Sequence, residues 1–241
     1  MNRTRESVLE EIAGNLDYRR HEMTNLHRVL LTYAGKSLEI TVVRMAIPMI
    51  YAHWEGYVKE VCHIYIEHIE TSIMYARQLQ PALLGYLWIP KLKPISQGGL
   101  NHKRRKAVAE CVIHSLSGPV VFGDAEKIVD TSSNLRFSVL QRIADDLCLD
   151  ITSLAGWRRH LDALVNLRNN IAHGIIPQRL GYSDFIMHTD ATIGLMEGFE
   201  QVMHNAILIE SFCQPNSRFS HRQRSKTTST DPVVHIDKKS T

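Results

Sequence analysis

Apolar residues recur at steps of three and four along most of this chain and nowhere alternate as a strand requires. In "ESVLEEIAGNLDYRRHEMTNLHRVLLTYA", Val8, Ile12, Leu16, Met23, Leu26 and Leu30 form one stripe with charges opposite, which predicts a long amphipathic helix. A second helix is predicted from Ser37 to about Ala76, kinked at Pro48. Beyond the proline, Tyr51, Trp54, Val58, Val61 and Tyr65 continue the core stripe. Residues 78–103 hold three prolines and three glycines, so an irregular insertion is expected there. "KRRKAVAECVIHSL" predicts a short helix. "DTSSNLRFSVLQRIADDLCLDI" predicts another, capped by Ser132, Ser133 or Asn134 and carrying Leu135, Val139, Ile143 and Leu147 at fours. "SLAGWRRHLDALVNLRNNIAHG" predicts a helix from near Ser153 that turns Leu161, Leu164, Val165, Leu167 or Arg168, and Ile171 to a core and stops at Gly174. A last helix of about seven turns lies in "SDFIMHTDATIGLMEGFEQVMHNAILIESF". The expectation is an all-α bundle of about five to six helices over residues 1–213, with a disordered, basic tail at 214–241.

Composition narrows this little further. A 44% hydrophobic and 22% charged chain is ordinary for a globular protein, which excludes the disordered, collagen-like and membrane classes. A net charge of +3 permits nucleic-acid binding but is weak for an architectural DNA binder. Cys62, Cys111, Cys148 and Cys213 lie far apart, which predicts reduced thiols. The first residues lack an apolar leader segment, and the longest apolar run, "MAIPMIYA", is too short for a membrane span, so a cytoplasmic protein without a membrane partner is expected. None of the histidines falls in HExxH, and His63 with Glu67 or His68 lacks a third ligand. No metal is therefore expected, and with no glycine-rich phosphate loop, no cofactor.

The chemistry concentrates in "LVNLRNNIAHGI", residues 164–175. At about 100° per residue, Asn166 and Asn170 share one face of a helix and Asn169 and His173 its neighbour. Arg168 lies about 140° from His173, within reach along the surface. His173 occupies the last turn, beside unpaired carbonyls and the negative end of the helix dipole, which favours the imidazolium. An imidazole there can give or take a proton, and the guanidinium of Arg168 suits a phosphate or the extra charge of a phosphorane. These are sufficient parts for RNA cleavage through the ribose 2′-hydroxyl without a metal. The alternative is structural: histidine before glycine caps helices, and arginine and asparagine near a helix end bond to its carbonyls.

"LRNNIAHG" resembles the Arg, four to six residues, His signature of the HEPN superfamily (higher eukaryotes and prokaryotes nucleotide-binding domains), with Arg168, four intervening residues and His173, and with Asn169 as the polar residue after the arginine. "YAHWEGYVKEV" at 51–61 resembles the tryptophan-glutamate segment of one prokaryotic branch of HEPN-like nucleases, and "SSNLRFSVLQRI" at 132–143 resembles the segment before their last motif. The resemblance spans about residues 5–213. It implies a helical domain that dimerises so that two motifs share one cleft, and an endoribonuclease of toxin-antitoxin or anti-phage type that leaves cyclic-phosphate and 5′-hydroxyl ends. An antitoxin or other inhibitory protein is then an expected partner. Members silenced by nucleotidyl transfer carry a tyrosine two residues after the histidine, where this chain has Ile175. Other members only bind nucleotides or proteins, which leaves a non-catalytic binding module as the alternative function.

On this reading Arg168, His173 and Asn169 are the candidate catalytic residues, with Glu55 and Asn170 as accessories. Glu55 is either an acid or an anchor for Arg168, or else half of a solvated pair with Lys59, four residues on. Arg158 and Arg159 earlier on the motif helix, and Lys103, Arg104 and Arg105 in "NHKRRK", are candidate RNA contacts or plain surface charge.

Overall fold

A computed structural model of the chain describes residues 3–96, 101–123, 128–175 and 180–215. Among these the chain forms seven α-helices: α1 Arg5–Leu31, α2 Glu39–Ser72, α3 Pro81–Ser96, α4 His102–Ser117, α5 Phe137–Asp146, α6 Arg158–Ala172 and α7 Tyr182–Ile209. Turns of 3-10 helix at Ala76–Gln78 and Thr152–Trp157 lead into α3 and α6. The extended pairing among the described residues is a single antiparallel bridge, Leu79 to Cys213. The all-α architecture is as expected, and no described helix is long and apolar enough to cross a membrane.

The core follows the stripes. Val8, Ile12, Leu16, Met23 and Leu30 of α1 are buried, as their spacing requires, and Thr4 caps this helix by accepting from Ser7 N at 3.2 Å. α2 is the central element, packed against α1, α7 and α6, and it runs through Pro48 without interruption. Trp54 and Tyr57 are fully buried and meet Phe199 of α7 edge-on, with ring centroids 6.3 and 6.5 Å away. All four cysteines are free thiols.

Three departures from the sequence pattern have physical causes. Residues 81–96 are helical where an irregular insertion was expected. Pro81 opens α3, where a missing amide proton costs no intrahelical bond, and burial of Leu83, Leu84 and Leu87 offsets what Pro90 and Pro94 forfeit inside it. The helix in "SSNLRFSVLQRI" starts only at Phe137, and none of Ser132, Ser133 and Asn134 caps it. Instead the Phe137 amide donates to Asp162 Oδ1 of α6 at 3.1 Å, a cap supplied from another helix. Lastly, Gln214 belongs to the folded part: its amide donates to Gln78 O at 2.8 Å and its side chain to Leu79 O at 2.9 Å. The rest of the expected tail, from residue 216, lies outside the described residues.

One contact seats the start of the motif helix α6, and another fixes the start of α7. At the start of α6, the 3-10 turn 152–157 inserts into a groove that two glycines, four apart, open on α7. A Cβ on Gly194 would lie 2.7 Å from the Trp157 ring, and one on Gly198 would lie 2.6 Å from Leu154. Beyond its end, the chain is pinned where α7 begins. Glu39 of α2 accepts from Tyr182 N at 2.9 Å and from Gly35 N at 2.5 Å, and those two amides hold its carboxyl below the usual range.

Candidate active site

The buried seam of α6 is short: Leu161, Leu164 and Val165. Three such side chains contribute about 5–9 kcal/mol of gross burial, so the ends of this helix matter to its placement. The seam leaves Arg168 and Asn169 partly buried and Asn166, Asn170 and His173 exposed.

The C-terminal end of α6 shows how its carbonyls are met. His173 is the C-cap residue, and Gly174 follows with φ +73°, the left-handed conformation that glycine adopts without strain. The Ile175 amide donates to Asn170 O at 2.8 Å and the Gly174 amide to Ile171 O at 3.1 Å, which together form a Schellman motif. The His173 amide takes Asn169 O at 3.0 Å. Backbone amides therefore satisfy the carbonyls of Asn169, Asn170 and Ile171, and neither the imidazole of His173 nor the guanidinium of Arg168 is used as a cap. Among the described residues the imidazole has no hydrogen-bond partner.

Arg168 is instead held by three neutral groups. Its ζ carbon lies 4.0 Å from the centre of the Tyr51 ring, its Nη1 donates to Asn169 Oδ1 at 2.9 Å, and its Nη2 donates to Ser133 O at 3.1 Å. None is an anion, so the positive charge is oriented without being neutralised. Ser133 presents its carbonyl because Ser132 and Ser133 both take left-handed backbone conformations, φ 52° and 61°, which cost energy for residues with a Cβ.

Ties on both sides keep that turn in place. Leu135 N donates to the Tyr51 hydroxyl at 2.7 Å, Thr131 Oγ1 donates to Glu55 at 2.6 Å, Ser132 N donates to Asp130 Oδ1 at 2.7 Å, and Arg142 bonds Asp130 O. Burial raises the phenol of Tyr51, so it stays a neutral hydroxyl. Burial also pushes the Glu55 carboxyl up, but hydrogen bonds from Thr131 and Lys59 outweigh it and hold the group below the usual range. Glu55 pairs with Lys59 at 3.1 Å and anchors the turn through Thr131, with no bond to Arg168 itself among the described residues.

The remaining candidates divide. Arg158 lies on α6 with its ζ carbon 4.9 Å from the Phe137 ring centre, and Arg159 is exposed beside it. Lys103, Arg104 and Arg105 occupy the first turn of α4, which packs on α3 and the 3-10 turn at 76–78, whereas α6 packs on α2, α5, α7 and the turn at 152–157. The structure thus groups Arg168 and Asn169 with Tyr51 and the 130–135 turn, leaves His173 exposed at the end of the same helix, and leaves the α4 run apart. None of Tyr51, Ser133 and Arg136 was expected at the site from the sequence. Tyr51 lies in the core stripe, and the backbone carbonyl of Ser133 has no sequence signal. Arg136, which donates to Asn166 Oδ1 at 2.7 Å, was visible only as part of the quoted segment.

A family model described as HEPN_MAE_28990-like HEPN matches residues 8–212, nearly the whole described fold. The chain belongs to this HEPN family. Neither a curated protein nor a solved structure matches it significantly. In this HEPN chain the Arg168 to His173 motif sits at the end of α6, and the 132–143 segment supplies the turn that holds the arginine. The family suggests a nuclease or another HEPN-type module.

Proposed function

We propose that this HEPN protein is a metal-independent endoribonuclease, acting as a homodimer in which two motifs share one cleft. The observation that carries this reading is the end of α6: backbone amides cap the helix, His173 is exposed and unbonded among the described residues, and Arg168 is oriented by groups that leave its charge uncompensated. The reaction needs a 2′-oxygen to attack the adjacent phosphorus while the bond to the 5′-oxygen breaks. One neutral imidazole takes the 2′-hydroxyl proton, the imidazolium of the second copy protonates the departing 5′-oxygen, and the products are a cyclic phosphate and a 5′-hydroxyl. Arg168 stabilises the charge that develops on the phosphorane oxygens, and its charge is better placed for that because its orientation is set before substrate arrives. Asn169 orients Arg168 through its Oδ1, and Asn170 is exposed on the adjacent face for substrate.

An exposed apolar side chain beside the motif supports the dimer. Ile175, 58% exposed, follows His173 by two residues. The motif's resemblance to nucleases of toxin-antitoxin and anti-phage systems supports a role of that kind, with an antitoxin or other inhibitory protein as partner. The test is incubation of mixed RNA in EDTA with wild type, Arg168→Ala and His173→Ala, each checked for folding and dimerisation. Cleavage by the wild type alone supports the reading. Cleavage unchanged by both substitutions sinks it and leaves the non-catalytic binding module.

A further inference from the structure

We infer that Arg44 of α2 is a second phosphate-binding residue of this site, one that holds the phosphate next to the phosphate that reacts; this rests on the ribonuclease reading above. Arg44 stands seven residues before Tyr51, which is two turns of α2 and about 10 Å along the same face. α7 runs parallel to α2, since Tyr182 meets Glu39 and Phe199 meets Trp54 and Tyr57. α6 runs antiparallel to α7, since Trp157 sits at Gly194 while Leu164, further along α6, lines one small cavity with His188 and Thr192. α6 is therefore antiparallel to α2. With Arg168 seated over Tyr51, the last turn of α6 and His173 lie on the side of Tyr51 toward Arg44.

The state of this side chain is what calls for a ligand. Arg44 is half-buried, and its Nε is shut off from solvent without a hydrogen-bond partner. No carboxylate, carbonyl or ring among the described residues holds its guanidinium. Every other half-buried arginine among the described residues has a partner of one kind or another. Arg105 and Arg159, which have none, are exposed, where water serves them. A guanidinium nitrogen left dry and unbonded costs stability, and an anion bound there removes that cost. The planar donors of arginine suit a phosphate. Arg168 is tied over Tyr51 and to Ser133 O, so the phosphate it serves lies at that end of the cleft. Arg44, two turns away along α2, takes a neighbouring phosphate of the same strand. Such a contact is made equally before and during reaction, so it acts on substrate binding and not on the rate of the bound complex.

The test uses the full chain and a short RNA whose cleavage position has been mapped with the wild type, in which each phosphate flanking that position is replaced in turn by a neutral methylphosphonate. Arg44→Gln is expected to raise KM about three- to tenfold and to leave kcat within about twofold, and Arg44→Lys, which keeps the charge, to recover most of the loss. One flanking methylphosphonate is expected to raise KM for the wild type and to have no further effect on Arg44→Gln. The urea midpoint of Arg44→Gln is expected to equal or exceed that of the wild type, because no bond inside the protein is lost. An unchanged KM, a loss that falls chiefly on kcat, or a lowered urea midpoint overturns the assignment of Arg44, while cleavage by the wild type leaves the ribonuclease reading standing. Flanking phosphates that matter equally to the wild type and to Arg44→Gln also overturn it. Failure of the wild type to cleave RNA overturns the assignment and the ribonuclease reading together.

Discussion

Tyr51 serves two structures at once, and substitution separates them. Its hydroxyl accepts from Leu135 N at 2.7 Å inside the core, and its ring lies 4.0 Å beneath the ζ carbon of Arg168; the residue is 2% exposed. Tyr51→Phe leaves the buried Leu135 amide without an acceptor, at about 1–3 kcal/mol, while the ring stays under Arg168. Tyr51→Leu loses the hydroxyl as well, and with the ring a further ~0.5–2 kcal/mol of guanidinium contact, before any cavity cost. Urea denaturation followed by circular dichroism measures the first effect as a lower midpoint at unchanged slope. Steady-state cleavage of RNA measures the second. If the seat of Arg168 governs transition-state charge, Tyr51→Leu lowers kcat/KM by about 2- to 30-fold, chiefly in kcat, and Tyr51→Phe by much less. A Tyr51→Phe protein as stable as wild type, or a Tyr51→Leu protein that cleaves like wild type, refutes the argument that this side chain holds both the turn and the arginine.

Three further outcomes follow from the geometry. Asp162→Ala removes the acceptor for the first amide of α5 and is expected to cost about 1 kcal/mol in chemical denaturation, whereas Asp162→Asn, which keeps an acceptor oxygen, costs much less. Gly174→Ala forces a Cβ onto a residue at φ +73° and is expected to destabilise by about 1 kcal/mol, with Gly174→Asn intermediate; equal midpoints for all three proteins would remove the cap from the account. His68 is buried against Phe212 and Ser72, and burial, reinforced by Arg5 and Arg3, depresses it to about 4. The unfolded chain takes up this proton near pH 6.5 and the folded chain only near 4, so stability falls as pH drops through that window, by about 3 kcal/mol in all. Above the window His68 contributes no slope, and His68→Gln is expected to flatten the profile within it.

How legible each part was depends on the range of the interaction that fixes it. α1 could be read from Val8 to Leu30 because a helix stripe is a local repeat, and the α6 motif could be read because Arg168, Asn169 and His173 are close in the chain. α3 could not, since its prolines carry a strong local signal and the burial of Leu83, Leu84 and Leu87 that opposes it is tertiary. The start of α5 was misplaced for the same reason: serines beside a helix suggest a local cap, but the acceptor is Asp162, 25 residues away. Within the site, Tyr51 looked like core because it is core, and its second role depends on a guanidinium 117 positions along the chain, which no periodicity reports. Helix faces and short motifs are sequence properties; the neutral groups that hold Arg168 are properties of the assembled fold.

The most direct test of the central claim is the chemistry of the ends. RNA incubated in EDTA with wild-type protein, and with a folded, dimeric His173→Ala protein, is analysed by mass spectrometry of the termini. The account predicts cyclic-phosphate and 5′-hydroxyl termini from the wild type and none from His173→Ala. Termini bearing a 3′-hydroxyl and a 5′-phosphate, or cyclic-phosphate termini made equally by both proteins, would contradict it.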